Sequence, residues 1–196
     1  MLPTDELPGE FDSRYATAVC HPFPPFPKDM AGKYHAAGLR YFQSFEGFGQ
    51  SQEILGVEEK FVTTIGGYAF SGVADLILRN VKDGSITVVD HKTKSPASMR
   101  KDLAASKKQL YVYAAFVKEK YGEYPALLRF NMIRDGGFID EAFNPETYGG
   151  TMSWINDTID LILLEDEWQA SCSSYFCQFV CGVRRFCPLF AEPAAM

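Results

Sequence analysis

A hairpin encoded by residues 71–94 constrains the fold of this chain more than any other stretch. Two runs of β-branched and other apolar residues, 73–81 and 86–89, have the composition of strands. Asp83 and Gly84 stand between them, and an Asp-Gly pair between apolar runs is the strongest short-range signal for a tight turn. The sequence therefore predicts two neighbouring antiparallel strands here.

Three charged residues stand in these strands where the pattern calls for core residues: Asp75, Asp90 and Lys92. Burying a charge is costly without compensation, and neighbouring carboxylates repel each other. A divalent cation is the simplest compensation, and carboxylate oxygens suit Mg²⁺ or Mn²⁺. Asp90 and Lys92 are two residues apart, so strand alternation puts them on one face, where the ammonium can orient a water or stabilise charge on a phosphate. The alternative is that the carboxylates cap strand ends and Lys92 is a solvated edge charge.

The order of these residues resembles the PD-(D/E)xK nuclease superfamily. The matching motifs are G-x-x-D at residues 72–75 and D-x-K at residues 90–92, and Gln109 and Tyr113 match the Q-x-x-x-Y motif of its RecB-like branch. The resemblance implies an α/β fold of the restriction-endonuclease type, with a mixed central sheet flanked by helices. It also implies metal-dependent hydrolysis of phosphodiester bonds in DNA.

The same resemblance assigns roles around the hairpin. Asp75, Asp90 and Lys92 are the implied catalytic residues. The implied ligands of the Mg²⁺ or Mn²⁺ ion are Asp75, Asp90, the backbone carbonyl of His91, and His35 on the helix before the hairpin. An ordinary helix-surface histidine remains the alternative for His35.

Substrate contact is implied for Gln109 and Tyr113, which lie one helical turn apart. The alternative is a surface glutamine and a core tyrosine.

A cluster of basic residues surrounds the same region, opposed by Asp102: Lys92, Lys94, Arg100, Lys101, Lys107 and Lys108. The formal net charge of −6 argues against a non-specific coat protein of nucleic acid. A local basic surface can still bind a phosphate backbone. Solvent exposure at the start of a helix explains the charge of each residue equally well.

The chain has five cysteines, and the C-terminal tail concentrates four of them: Cys172, Cys177, Cys181 and Cys187. An odd count, without a leader peptide or an apolar run near the ~20 residues of a membrane span, predicts a reducing, cytoplasmic location. Clustered thiolates suit Zn²⁺ or an iron–sulfur cluster.

The cysteine pattern of this tail resembles that of the iron–sulfur nucleases of CRISPR adaptation and of AddB-type recombination subunits. They hold a [4Fe–4S] cluster through one N-terminal and three C-terminal cysteines. The ligand set implied here is Cys20, Cys177, Cys181 and Cys187, with Cys172 as the alternative fourth ligand. The gap between Cys177 and Cys181 is one residue longer than in that branch. Zinc, or buried thiols without metal, are the alternatives.

The sequence divides into a proline-rich, extended N-terminal arm (1–28), a nuclease core (29–170) and a cysteine-rich tail (171–196). Within the core, the patterns predict a helix that begins at Asp29, a strand at 57–65, the hairpin, a helix at 100–121, a second hairpin at 126–133 and 138–143, and a helix at 146–169.

Together these features predict a metal-dependent, exonuclease-like DNA nuclease of recombination, repair or CRISPR adaptation. Its expected partners are DNA and a helicase, recombination or CRISPR-integration protein. No G-x-x-x-x-G-K-[ST] loop occurs, so the sequence does not support ATPase activity in this chain. The competing hypothesis is a non-catalytic DNA-binding or assembly subunit with a nuclease-like fold and a zinc or iron–sulfur tail.

Overall fold

The computed structural model describes residues 3–19, 29–48, 51–167, 176–177 and 181–187. The chain divides into two compact units, Met1–Asn156 and Asp157–Met196. Within the described ranges, no helix combines the length and apolar character that crossing a membrane requires.

The elements form an α/β architecture, a mixed sheet flanked by helices, as the sequence predicts. The helices are α1 (Leu7–Val19), α2 (Met30–Gln43), α3 (Pro96–Lys101), α4 (Leu103–Tyr121) and α5 (Pro145–Leu164). The strands are β1 (Gln52–Ile65), β2 (Tyr68–Asn80), β3 (Ile86–Lys92), β4 (Leu127–Met132) and β5 (Phe138–Ala142). A short 3₁₀ turn, Arg184–Phe186, belongs to the second unit.

The sheet has the strand order β1-β2-β3-β4-β5. Its pairs are antiparallel except β3 with β4, which are parallel. Parallel neighbours need a crossover connection, and α3 and α4 supply it between β3 and β4. The helix with the Q-x-x-x-Y motif, α4, therefore belongs to the connection that follows the strand with the D-x-K motif.

The predicted hairpin is confirmed as β2 and β3. Gly84 has a φ of 75°, a left-handed conformation that glycine adopts without a Cβ clash. Asp83 Oδ1 accepts hydrogen bonds from the Ser85 backbone N–H at 3.0 Å and from Ser85 Oγ at 2.7 Å. This turn fixes the register of β2 and β3, and with it the positions of the motif residues.

Strand alternation divides the core between the two faces of the sheet. Ile77, Ile86 and Val88 belong to the larger cluster, which includes the apolar stripe of α4. Leu76, Leu78 and Val89 belong to a second cluster, packed with Phe48 and Ile54. Both faces are thus buried at residues 76–78 of β2 and 86–89 of β3, which explains the nearly continuous apolar sequences there.

The N-terminal region differs from the expected extended arm, because residues Leu7–Val19 form α1. Pro8 is the second residue of this helix, where a missing backbone N–H leaves no helical hydrogen bond unmade. Phe11 lies over Gly38 of α2, so the absence of a side chain at Gly38 lets the two helices approach closely. Residues 20–28 lie outside the described ranges.

Other boundaries also differ from the predictions. The helix expected at 100–121 is two helices, α3 and α4, which meet at Asp102. Ser95 begins α3 by accepting a hydrogen bond from the Ser98 N–H at 3.1 Å. β1 starts at Gln52 rather than residue 57, because a bulge between Ile54 and Gly56 interrupts the alternation that marks a strand. The last helix ends at Leu164 rather than 169.

We predict that Gly72→Ala destabilises the protein by about 1–3 kcal/mol, the usual cost of an overpacked core. A Cβ at Gly72 would stand 2.7 Å from Cζ of Phe61, its cross-strand partner. The Phe61 ring is buried and stacks on Phe116 with centroids 4.6 Å apart, so it has little freedom to move away. Denaturant unfolding monitored by circular dichroism measures the change.

The matched control is Gly149→Ala in α5, where a Cβ would meet no atom within 4 Å. Helix propensity predicts that this change is neutral or stabilising, by up to about 1 kcal/mol. If both variants unfolded at the same denaturant concentration as the wild type, Gly72 would have no packing role.

Candidate active site

Asp75 and Asp90 are brought together at adjacent positions of β2 and β3. Leu76 pairs with Val89, and each aspartate is the next residue beyond that pair. Oδ2 of Asp75 accepts a hydrogen bond of 2.7 Å from the backbone N–H of His91. The two carboxylates therefore share one face of the sheet, as the motif order predicts.

Asp90 is a buried carboxylate, with 2% of its surface exposed. Burial raises its pKa, and the negative charge of Asp75 raises it further, while Lys92 and His91 act in the opposite direction. Asp90 is therefore not in contact with bulk solvent. Holding the ionised form here costs free energy that a nearby positive charge must offset.

Lys92 supplies a positive charge next to Asp90. Its Nζ lies 2.6 Å from Oδ2 of Asp90 and donates a 3.0 Å hydrogen bond to Oε1 of Gln109. Its side chain is 22% exposed, so the ammonium stands between the buried carboxylate and solvent. A solvated edge charge would not make these contacts.

Gln109 and Tyr113 extend this chain of contacts along α4. Nε2 of Gln109 donates a 2.5 Å hydrogen bond to the Tyr113 hydroxyl. Desolvation raises the pKa of Tyr113, the bond from Gln109 lowers it, and the charges of Asp90, Asp75 and Glu58 raise it. Four of the predicted site residues thus form one chain of contacts, Asp90, Lys92, Gln109 and Tyr113, and Asp75 stands beside Asp90 on the neighbouring strand.

Glu58, to which the sequence assigned no specific role in the site, adjoins this group. It lies on β1 between the pairs Val57↔Leu76 and Glu59↔Ala74, which places it opposite Asp75. Its φ of 48° is rare for a residue with a side chain. Its signal in the sequence is the charged run of residues 58–60, which marks exposed or site-facing positions of the strand predicted at 57–65.

A second group that was not predicted lies beside His91. Nδ2 of the buried Asn131 donates to the Tyr41 hydroxyl at 2.6 Å and lies 3.1 Å from Nδ1 of His91. Asn131 is the parallel partner of His91 in β4. These contacts connect α2 to the D-x-K strand. The signal in the sequence was an uncharged polar residue, Asn131, next to Phe130 and Met132 at the end of the β4 strand.

His35 has a different partner from the one the resemblance implies. Its Nε2 lies 2.6 Å from Oδ1 of Asp12 in α1, and its ring stacks on Phe11 with centroids 5.9 Å apart. Within the described residues, no three His, Cys, Asp or Glu side chains are placed to share a metal. His35 is therefore not grouped with Asp75 and Asp90 in this structure, and its role as a ligand stays a prediction.

The cysteine tail is described in part. Cys177, Cys181 and Cys187 are half-buried, and the backbone N–H of Cys181 donates to the Phe176 carbonyl at 2.8 Å. Cys20 and Cys172 lie outside the described ranges. The implied ligand set thus stays a prediction.

The family model of the PD-(D/E)XK nuclease superfamily matches residues 6–188 of the sequence. The chain belongs to this superfamily. No curated protein matches the sequence. A similar solved structure, the crystal structure of SSO0001, is 18% identical, covers 94% of this chain and 82% of that one, and superposes with a TM-score of 0.41.

Superfamily members typically use a divalent cation such as Mg²⁺, and the donor set here is suited to one. Oδ2 of Asp90 is buried, and the Lys92 ammonium at 2.6 Å is its partner among the described residues. Asp75 adds a second carboxylate. Two hard oxygen donors, one of them buried, fit Mg²⁺ or Mn²⁺.

We predict that Asp90→Asn stabilises the metal-free protein at neutral pH. Because burial raises the pKa of Asp90, the folded protein binds this proton more tightly than the unfolded chain does. That contribution is complete below the unfolded pKa of about 3.9 and is lost as the pH rises through the raised folded value. Thermal unfolding at a series of pH values should show the wild type losing stability relative to Asp90→Asn over that window.

Asp83→Asn is the control, because the pKa of Asp83 is shifted in the opposite direction to that of Asp90. Hydrogen bonds from Ser85 lower the pKa of Asp83. The wild type should therefore lose stability relative to this variant as the pH falls through that lowered pKa. A wild type and Asp90→Asn with parallel pH profiles would mean that Asp90 carries no uncompensated charge.

Proposed function

We propose that this chain is a metal-dependent deoxyribonuclease that hydrolyses phosphodiester bonds at Asp75, Asp90 and Lys92. The observation that carries the proposal is the burial of the Asp90 carboxylate beside Lys92 and Asp75, in a member of a nuclease superfamily. A purely structural core would gain stability from apolar residues at these positions. The charges are therefore best explained by chemistry.

In this proposal Asp75, Asp90 and the His91 carbonyl hold the cation. When bound, the cation polarises a phosphate and lowers the pKa of water. Asp75 is oriented by the His91 N–H at 2.7 Å. The buried Asp90 presents its oxygen with little reorganisation, because the strand fixes it.

Lys92 acts as the positioning and charge-stabilising group. Asp90 and Gln109 hold its ammonium from two sides, so its charge points at a defined place before substrate arrives. A preorganised charge of this kind stabilises negative charge that develops on the phosphate. Gln109 and Tyr113 face the same place and are proposed to contact the substrate.

The finer assignment rests on the Q-x-x-x-Y resemblance to the RecB-like branch. We propose exonuclease-like action on DNA in the cytoplasm, in recombination, repair or CRISPR adaptation, beside a helicase, recombination or CRISPR-integration protein. The hydrogen bond between Gln109 and Tyr113 supports the proposal that the two residues of this motif act together. The competing hypothesis, a non-catalytic DNA-binding or assembly subunit, needs no ammonium held against a buried carboxylate.

We predict that Lys92→Ala lowers the rate of Mn²⁺-dependent DNA cleavage about 10²–10³-fold, the effect of removing one preorganised charge from a transition state. Binding of DNA in Ca²⁺ should persist, because one ammonium is a small part of the phosphate contacts. Cleavage of labelled single- and double-stranded DNA measures the rate, and anisotropy measures the binding.

The matched control is Lys82→Ala, which removes an exposed lysine from the turn at the other end of the hairpin. It should cleave like the wild type. If the wild type binds DNA but cleaves none of these substrates with Mg²⁺ or Mn²⁺, the non-catalytic alternative is correct.

We also propose that Cys20, Cys177, Cys181 and Cys187 hold a [4Fe–4S] cluster, with Zn²⁺ as the alternative metal and Cys172 as the alternative fourth ligand. Thiolates in a reducing compartment suit either metal. The proposed role is structural.

For the tail, we expect anaerobically purified protein to be brown, with an absorption band in the visible range that Cys187→Ser removes. Elemental analysis distinguishes iron from zinc. Replacing Cys20 and, separately, Cys172 identifies the fourth ligand. Protein without iron or zinc would exclude both versions of the proposal.

A further inference from the structure

A basic groove lies on the flank of α4 that faces away from Gln109 and Tyr113. Ala104, Lys107, Lys108 and Tyr111 line it from α4, at spacings that place them on one side of a helix. At 100° per residue, Gln109 and Tyr113 project from the opposite side. The groove has a volume of about 620 Å³.

The charge of the groove is strongly positive. Arg100, Lys101, Lys107 and Lys108 line it against a single carboxylate, Glu141, so these side chains sum to +3. Lys107 forms an ion pair with Glu141. Arg100 and Lys101 are exposed, and neither takes part in an ion pair with the described residues. In a protein of net charge −6, this is a local surface for an anion.

The floor and rim of the groove give it a fixed shape. The buried Tyr111 donates a 3.2 Å hydrogen bond from its hydroxyl to Oε1 of Glu141 on β5. Gly150 and Thr151 of α5 form the opposite wall. The Nζ atom of Lys108 lies 3.3 Å from the ring centroid of Trp154, which is 46% exposed. Cations beside an exposed aromatic ring are typical of sites for single-stranded nucleic acid, where phosphates and bases both find partners.

The groove is close to the proposed active site. Glu141 pairs with Leu128, and Leu128 pairs with Val88, two residues before Asp90. Glu141 is separated from Asp90 by two strand spacings across the sheet and two residues along a strand. The distance between the two backbone positions is therefore roughly 12 Å. Helix α3, with Arg100 and Lys101, follows the D-x-K strand within a few residues. A nucleic-acid strand can therefore leave the site around α3 and enter the groove.

From this arrangement we infer that the groove binds the single strand that continues from the scissile phosphate. The inference rests on the proposed nuclease function. It adds that the substrate is DNA that is single-stranded next to the scissile phosphate. Arg100, Lys101 and Lys108 bind phosphates, and Trp154 stacks with a base. Lys107 is held by Glu141 and shapes the wall.

The test compares oligothymidine binding by two triple variants in an Asp90→Asn background without divalent metal, where DNA stays intact. Arg100→Ala/Lys101→Ala/Lys108→Ala should reduce the slope of log affinity against log salt by about 2, since each phosphate contact on a single strand contributes about 0.7. The control, Lys33→Ala/Lys82→Ala/Lys118→Ala, removes the same charge elsewhere and should leave the slope unchanged.

A second measurement reports on the groove directly. The chain has two tryptophans, Trp154 and Trp168, so Trp168→Phe leaves Trp154 as the single reporter. Oligothymidine should quench its fluorescence, and binding should tighten with oligonucleotide length until the groove is filled. The triple groove variant should lose this quenching while keeping the wild-type circular dichroism spectrum.

The outcomes separate this inference from the proposed nuclease function. Equal salt slopes for the groove and control variants, with unquenched Trp154, overturn the groove even if the wild type cleaves DNA. A reduced slope and quenching in a protein that cleaves no DNA support the groove as a strand-binding surface and overturn catalysis. Tighter binding of duplex than of oligothymidine, lost equally in the groove variant, would overturn the single-strand assignment.

Discussion

The candidate site is organised around the burial of one carboxylate in the strand β3, that of Asp90. Asp90 has the same strand phase as Ile86 and Val88, which pack against α4, so its charge stands in line with the core. Desolvation raises its pKa, and the ammonium of Lys92 at 2.6 Å offsets part of that cost. The lysine stands close to this carboxylate, and Gln109 holds the lysine from the other side.

Stability and function oppose each other at this position. An apolar residue at Asp90 would fill the core without the desolvation cost, and replacing buried ion pairs in this way is often stabilising. The fold compensates elsewhere, with two apolar clusters and a long β1–β2 hairpin. Residues that break the local pattern at some cost to stability are expected where chemistry takes place. The crossover helix α4 contributes residues to the site from one flank and to the basic groove from the other.

The sequence predicted the hairpin and the shared face of Asp90 and Lys92 because both depend on local rules. Asp83-Gly84 fixed the turn, period-two alternation put Asp90 and Lys92 on one face, and the four-residue spacing of Gln109 and Tyr113 put them on one side of a helix. The misplaced boundaries have local causes too. The bulge after Ile54 hid the start of β1, and a proline in the first turn concealed α1.

The sequence by itself determined which residues carry charge into the core and on which face of β3 they lie, since strand geometry leaves no other choice. Tertiary structure decided their partners. Long-range pairing placed Glu58 opposite Asp75 and Asn131 beside His91, and the packing of α1 gave His35 an aspartate as its neighbour. Such contacts join residues far apart in the chain, and no periodicity encodes them. The same holds for the groove, whose walls come from α3, α4, β5 and α5.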